Sequence, residues 1–359
     1  MRQVLLALGV VWCAVGLVGC PGASPVAPAS PEVDPALPPV DPNGPPVAIR
    51  PENLVVLPAT GPVTHVLVQN LQDRTCQATV RLDCPAGWKL DAASKQVTIG
   101  PRQLARVPFA IEKGIDAESN VYPITVRCEV GGKTIAWDRP VVAATTPYFK
   151  PAIDGKIDDW ADAVPVTFTA AGKKTVISTY WSRRAFSILV SVEESTHKPM
   201  SGGAPFDAVQ LAISPAKART PRSADGRAER YELLLAAGAT GARCIMLKKP
   251  GEAVSAGHMP RALAGAQLNV WHAGGTTHYE CAIPFKAMPT IRAEPGREYR
   301  MSLLVHDPDG TGLRDWGRAV GLWPWQRSGL AWKQWQGAAW GDEPPFDNKI
   351  EWGFCSSKR

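Results

Sequence analysis

The sequence predicts an all-β chain in which a first β-sandwich of about a hundred residues is followed by a larger one. Three observations predict it. Apolar and polar residues alternate with period two in short runs along almost the whole chain after residue 46. Gly, Pro, Asn and Asp punctuate the runs at regular intervals. The three-to-four-residue periodicity of amphipathic helices is nearly absent.

The N-terminus reads as an export segment. Residues 1–19 form a signal peptide, with Arg2 supplying its positive end and Val4 to Leu17 its apolar run. That run is shorter than the roughly 20 residues needed to span a bilayer as a helix. It ends at Leu17-Val18-Gly19-Cys20, which resembles the lipobox of bacterial lipoproteins. The resemblance implies cleavage after Gly19 and lipidation of Cys20, with palmitate-type chains holding the protein to a membrane. Two or more acyl chains anchor stably where one does not. The alternative is an ordinary signal peptide with a chance cysteine. Residues 20–46 carry the lipid site and a linker with ten prolines between Pro21 and Pro46. Such a composition buries no core and favours an extended chain of about 3 Å per residue. The expected location is the cell envelope, outside the cytoplasm. Pro21, in place of the aspartate associated with inner-membrane retention, favours the outer membrane.

A net charge of +6 over 359 residues, with no long Lys/Arg run, gives no basis for a nucleic-acid partner. Arg219, Arg222, Arg227 and Arg230 cluster among Pro and Gly and read as a solvated loop. Of eight cysteines, Cys13 leaves with the signal and Cys20 is lipidated, so Cys76, Cys84, Cys128, Cys244, Cys281 and Cys355 remain. Disulfides are permitted outside the cytoplasm. Strand alternation makes Cys128 a partner for Cys76 or Cys84, and Cys244 and Cys281 both lie in strand-like runs. Buried reduced thiols stay equally open. No CxxC or Cys/His spacing points to zinc, and no metal ligands are assigned.

Residues 47–146 contain six strand candidates: His65 to Gln69, Ala78 to Cys84, Gln96 to Ile99, Val107 to Ile111, Ile124 to Val130 and Thr134 to Trp137. Pro85-Ala86-Gly87 and Gly131-Gly132 mark turns between them. This spacing predicts an immunoglobulin-like sandwich. The run Cys84 to Trp88, followed by Val97-Thr98-Ile99 and Val107-Pro108-Phe109, resembles Ig-like modules that sit beside carbohydrate-active domains, which implies a spacer.

Residues 147–359 contain ten more candidates: Val164 to Thr169, Val176 to Trp181, Phe186 to Val192, Ala208 to Ile213, Tyr231 to Leu235, Cys244 to Leu247, Leu268 to Trp271, His278 to Ile283, Arg300 to Val305 and Lys349 to Phe354. Ten strands fit one large sandwich. Five motifs follow one another here. They are Ile153-Asp154-Gly155 to Trp160, Trp181 before Phe186 to Val192, Phe206-Asp207 to Leu211, Tyr279 to Phe285, and Leu303 to Gly310. Their order and spacing resemble the family 9 carbohydrate-binding modules and their DOMON-like relatives. The resemblance implies a β-sandwich that binds a glycan or polysaccharide.

Seven of the thirteen tryptophans crowd the end of the chain: Trp316, Trp323, Trp325, Trp332, Trp335, Trp340 and Trp352. The surrounding Gly and Pro predict loops, where an indole keeps an open face. Stacking a pyranose on such a face is worth on the order of 1–2 kcal/mol. The competing reading is a long loop packing its own indoles. In the family resembled, two tryptophans clamp a terminal sugar. Trp340, six residues before Phe346, matches the second; Ala204 stands where the first would be, with Phe206 nearby. Gln210 occupies a position where that family has a sugar-binding carboxylate. Trp323, Trp325, Trp332 and Trp335 are the candidates for a replacement aromatic wall.

No GxSxG, HExxH or Walker motif occurs, and alternation sends Glu193 and Glu194 to opposite faces, so no catalytic residue is assigned. Asp307-Pro308-Asp309-Gly310 invites calcium but lacks the later ligands of an EF-hand and reads first as a turn. Asp154, Asp158 and Asp159 stay open in the same way between calcium and a structural role, Asp158 and Asp159 as turn or capping residues before Trp160. DOMON-like relatives sometimes bind haem, for which Met200, His258 and Met259 are available, but adjacent residues rarely ligate one iron. No cofactor is expected, with calcium left open as the alternative. The leading expectation is a non-catalytic, membrane-anchored glycan-binding lipoprotein, accompanying glycoside hydrolases. The competing class is a structural or assembly lipoprotein whose sandwich binds another protein.

Overall fold

The computed structural model of the protein describes residues 37–201, 204–215, 230–250, 262–319, 321, 323 and 350–355. The signal, Cys20 and most of the linker lie outside these residues. So do Trp325, Trp332, Trp335, Trp340, His258 and Met259. The architecture is all-β, with two antiparallel sandwiches in succession. No described helix is long and apolar enough to cross a membrane.

The first sandwich is built from β1 (Val47–Pro51), β2 (Val63–Asn70), β3 (Cys76–Asp83), β4 (Lys89–Leu90), β5 (Ser94–Ile99), β6 (Leu104–Lys113), β7 (Val121–Tyr122), β8 (Thr125–Val130), β9 (Lys133–Trp137) and β10 (Val141–Val142). One sheet has the order β1-β2-β6-β4, the facing sheet β5-β3-β8-β9, and β7 pairs with β10. The alternation legible in the sequence is obeyed. Along β3, Cys76, Ala78, Val80 and Leu82 are buried while Gln77 and Arg81 are exposed. Val126, Cys128 and Val130 of β8 join them, with Phe109 and Ile111 from the opposite sheet. Fully burying a side chain such as Phe109 is worth about 1.5–3 kcal/mol. Gly131 and Gly132, at φ 55° and 77°, make the two-residue turn between β8 and β9. That conformation matches the twist of the strands and suits residues without a Cβ.

The second sandwich contains β11 (Val166–Ala170), β12 (Lys173–Trp181), β13 (Ala185–Glu193), β14 (Ala208–Pro215), β15 (Tyr231–Gly238), β16 (Gly241–Lys248), β17 (Gln267–Ala273), β18 (Thr276–Pro284), β19 (Arg297–Asp307), β20 (Gly312–Asp315) and β21 (Ile350–Cys355). One sheet runs β11-β12-β13-β18-β17; the other runs β16-β15-β14-β19-β20, with β21 also pairing β19. Between them lie Val209, Leu211 and Ile213 of β14, Ile188, Val190 and Val192 of β13, and Leu303 and Val305 of β19. A single helical turn, α1 (Trp316–Ala319), follows β20 and delivers Trp316 into this core. Trp316 is therefore a core residue, not a loop indole. Cys76, Cys84, Cys128, Cys244 and Cys281 are free thiols.

The outer face of the β11–β13 sheet is strapped by the chain entering it. Asp158–Trp160 forms a 3-10 turn, and Asp159 Oδ2 accepts the Ala152 N–H at 2.8 Å. Trp160 stacks on Tyr180 and donates from Nε1 to Glu280 Oε1 at 2.9 Å, while the Gly155 N–H donates to Glu280 Oε2 at 2.8 Å. The Asp154–Trp160 motif thus closes over β18 through one buried carboxylate.

Candidate functional site

The outer face of the β14 sheet carries the site. Even-numbered residues of β14 leave the inter-sheet core, so Ala208, Gln210 and Ala212 face outward, flanked by Glu232 of β15 and His306 of β19. Alternation alone would make such positions wet, yet nearly every residue of β14 is buried. Both sides of this strand are covered, so its polar side chains must satisfy one another.

They do so in a chain. Arg230 Nε donates to Glu232 Oε1 at 2.6 Å; Gln210 Nε2 donates to Glu232 Oε2 at 3.2 Å; His306 Nε2 donates to Gln210 Oε1 at 3.2 Å. The Gln210 carbonyl can only accept, so the His306 proton sits on Nε2. Burial holds the His306 imidazolium off, lowering its pKa from 6.5 to about 3. Arg230 is buried here, which corrects the expectation of a solvated side chain for Arg230, while Arg219, Arg222 and Arg227 lie outside the described residues. Ala208, Ala212 and Ala236 are buried beside these polar groups.

A second cluster sits at the end of the same sandwich, where β13 finishes, β14 begins and β19 finishes. Asp207 Oδ2 accepts the Lys198 backbone N–H, and the Asp207 N–H donates back to Lys198 O at 2.9 Å. Glu194 is pinned by its N–H to Gly275 O at 3.0 Å. His197 lies between the two carboxylates, Nδ1 being 3.6 Å from Glu194 Oε1 and 3.7 Å from Asp207 Oδ2. Burial pushes the Asp207 carboxyl up to about 7; the Lys198 amide pulls it down, while Glu194 and Asp309 repel its charge. Asp307 is the opposite case. It accepts from Thr311 N at 2.9 Å, Thr311 Oγ1 at 2.7 Å and Arg314 Nη2 at 2.7 Å, and these bonds hold its carboxyl low against the effect of burial. The Asp307–Gly310 run is a turn closed by the Gly310 N–H to Asp307 O.

The sequence-predicted residues scatter. Gln210 is in the polar chain, buried. Phe206 is buried too, in a small cluster with Ala208, Leu234, Ala236, Ile245 and Leu247, so its ring offers no open face. Met200 packs against that cluster. Trp323, expected as a wet indole, is only 6% exposed and lies under the Arg50 guanidinium of β1, 5.7 Å from the ring centroid. The reason is that Trp316 turns the chain back into the core, and Gly321 follows against Trp137 of β9. Glu193 and Glu194 part as alternation requires: Glu193 accepts the Lys174 N–H, and Glu194 turns to the buried cluster. Sequence reading missed Arg230, Glu232, His306, His197 and Arg314. The available signal was charged residues inside or beside apolar strands, where burial demands a partner.

No protein-family model and no curated protein matches the sequence. Among solved structures the chain is similar to a carbohydrate-binding module of family 9 from Caldicellulosiruptor kristjanssonii in complex with cellotriose. That match is at 13% identity, with a TM-score of 0.34, over 48% of this chain and 80% of that one. The same organism's family 9 module in complex with glucose matches at 14% identity and a TM-score of 0.32, over 45% and 77%. The Escherichia coli chaperone DraB matches at 10% identity and a TM-score of 0.21, over 58% and 94%.

Proposed function

We propose that this chain is a non-catalytic glycan-binding lipoprotein of the cell envelope, held by Cys20, extended by its proline-rich linker and working beside glycoside hydrolases. The observation that carries the reading is the polar chain His306–Gln210–Glu232–Arg230 across three adjacent strands. An amide, a carboxylate and a guanidinium fixed on a rigid sheet are the kinds of group that discriminate sugar hydroxyls. Sequence order supports it further, since Asp207, Gln210 and His306 all belong to the motifs that resemble family 9 modules. In this reading Trp340, with Trp325, Trp332 and Trp335, supplies the aromatic wall.

The test is affinity electrophoresis and a glycan array with the full chain. Retardation by at least one polysaccharide, weakened in Trp340→Ala and in Gln210→Ala, is the expected outcome. No ligand across a broad panel would reject it. A second reading, an assembly lipoprotein binding another protein, is favoured by the burial of Trp316 and Trp323, two of the seven terminal tryptophans. Co-purification of a defined envelope protein together with an empty glycan panel would select it.

A further inference from the structure

We infer that Glu194, His197 and Asp207 form a binding site for one divalent cation of the zinc class, bracing the loop between β13 and β14. The three side chains each offer one ligand atom, all within 4.8 Å of one another. Glu194 and Asp207 are 4% and 0% exposed. Neither oxygen of Glu194, nor Oδ1 of Asp207, nor either ring nitrogen of His197 has a hydrogen-bond partner. Buried carboxylates with idle oxygens, aimed at one another, are costly unless something positive stands between them. The nearby guanidinium of Arg314 gives Nη2 to Asp307 and Nε to Thr311, and its hydrogen bonds do not reach Glu194 or Asp207.

The chemistry selects the ion. An imidazole with two carboxylates suits zinc and its neighbours, whereas calcium and magnesium take oxygen ligands alone. Tetrahedral bonds of about 2.0–2.1 Å place ligand atoms about 3.4 Å apart. The observed separations of 3.6 and 3.7 Å from His197 Nδ1 need only a small contraction. The Lys198 N–H on Asp207 Oδ2 fixes the carboxylate's orientation from behind, as outer partners of metal ligands do. The site is independent of the glycan reading, because the ion is read without any sugar.

The experiment uses the full chain, stripped with chelator and dialysed, titrated calorimetrically with zinc, and with calcium and magnesium in parallel. Cobalt substitution adds an optical readout of coordination. The expected result is one equivalent of zinc and a raised thermal midpoint. Zinc affinity should fall by more than about a hundredfold in His197→Ala and Glu194→Gln, beyond the 10–100-fold typical of an outer-shell partner. Circular dichroism verifies that the variants fold, and His197→Gln serves if His197→Ala does not. Absence of zinc binding by the folded wild-type chain overturns the proposal. So does zinc binding unchanged in the His197 variants, or calcium bound in preference to zinc.

Discussion

Arg314 Nη2 donates to Asp307 Oδ2 at 2.7 Å, with the guanidinium 0% and the carboxylate 5% exposed. The pair joins β20 to the end of β19 and completes the turn that Thr311 also holds. Removing one partner strands the other charge out of water. Arg314→Met should therefore destabilise the protein by about 3–5 kcal/mol, while Arg314→Met with Asp307→Leu should lose much less. Urea unfolding of the two variants checks this; equal losses would contradict it.

His306 makes stability depend on pH. Its native pKa of about 3 lies below the ordinary 6.5, so the folded chain refuses a proton that the unfolded chain accepts. The associated stability is complete above about pH 6.5. It falls as pH drops toward 3, at up to about 1.4 kcal/mol per pH unit. Between pH 7 and pH 5 the wild-type chain should lose about 2 kcal/mol more than His306→Gln. Parallel slopes for the two proteins would rule it out.

Ala171 occupies the turn between β11 and β12 at φ 51°, followed by Gly172 at 74°. A residue with a Cβ is strained there, and Asn-Gly is the preferred pair for this two-residue turn. Ala171→Asn should stabilise the chain by about 0.5–1 kcal/mol, visible as a higher thermal midpoint. A lower midpoint would show that the strain is not relieved.

The export reading makes a cellular prediction. Palmitate fed to cells producing the full chain should label the protein, and Cys20→Ser should abolish both the label and membrane sedimentation. Labelling that persists in the variant would place the lipid elsewhere.

The longer apolar-patterned strands were legible in the sequence: β2, β3, β5, β6, β8 and β9 lie where candidate runs were read, and so do β11 to β19 and β21. Period two is a local property, written by each residue's own polarity. The short strands β1, β4, β7, β10 and β20 were not legible, because two to five residues carry little periodicity and depend on a neighbour to pair with. The polar chain was only partly visible. Gln210 could be named from its position in a motif, but Arg230, Glu232 and His306 are brought to it by pairing between β14, β15 and β19.

The sequence by itself determined that the described chain is β-built and where its strands lie. Only the tertiary structure decided which polar groups are enclosed together. It placed His197 between Glu194 and Asp207, gave Arg314 to Asp307, and laid Trp323 under Arg50. The reason is physical. Strand formation follows from side chains a few residues apart, whereas the burial of a charge and the choice of its partner depend on segments up to hundreds of residues apart meeting in one place.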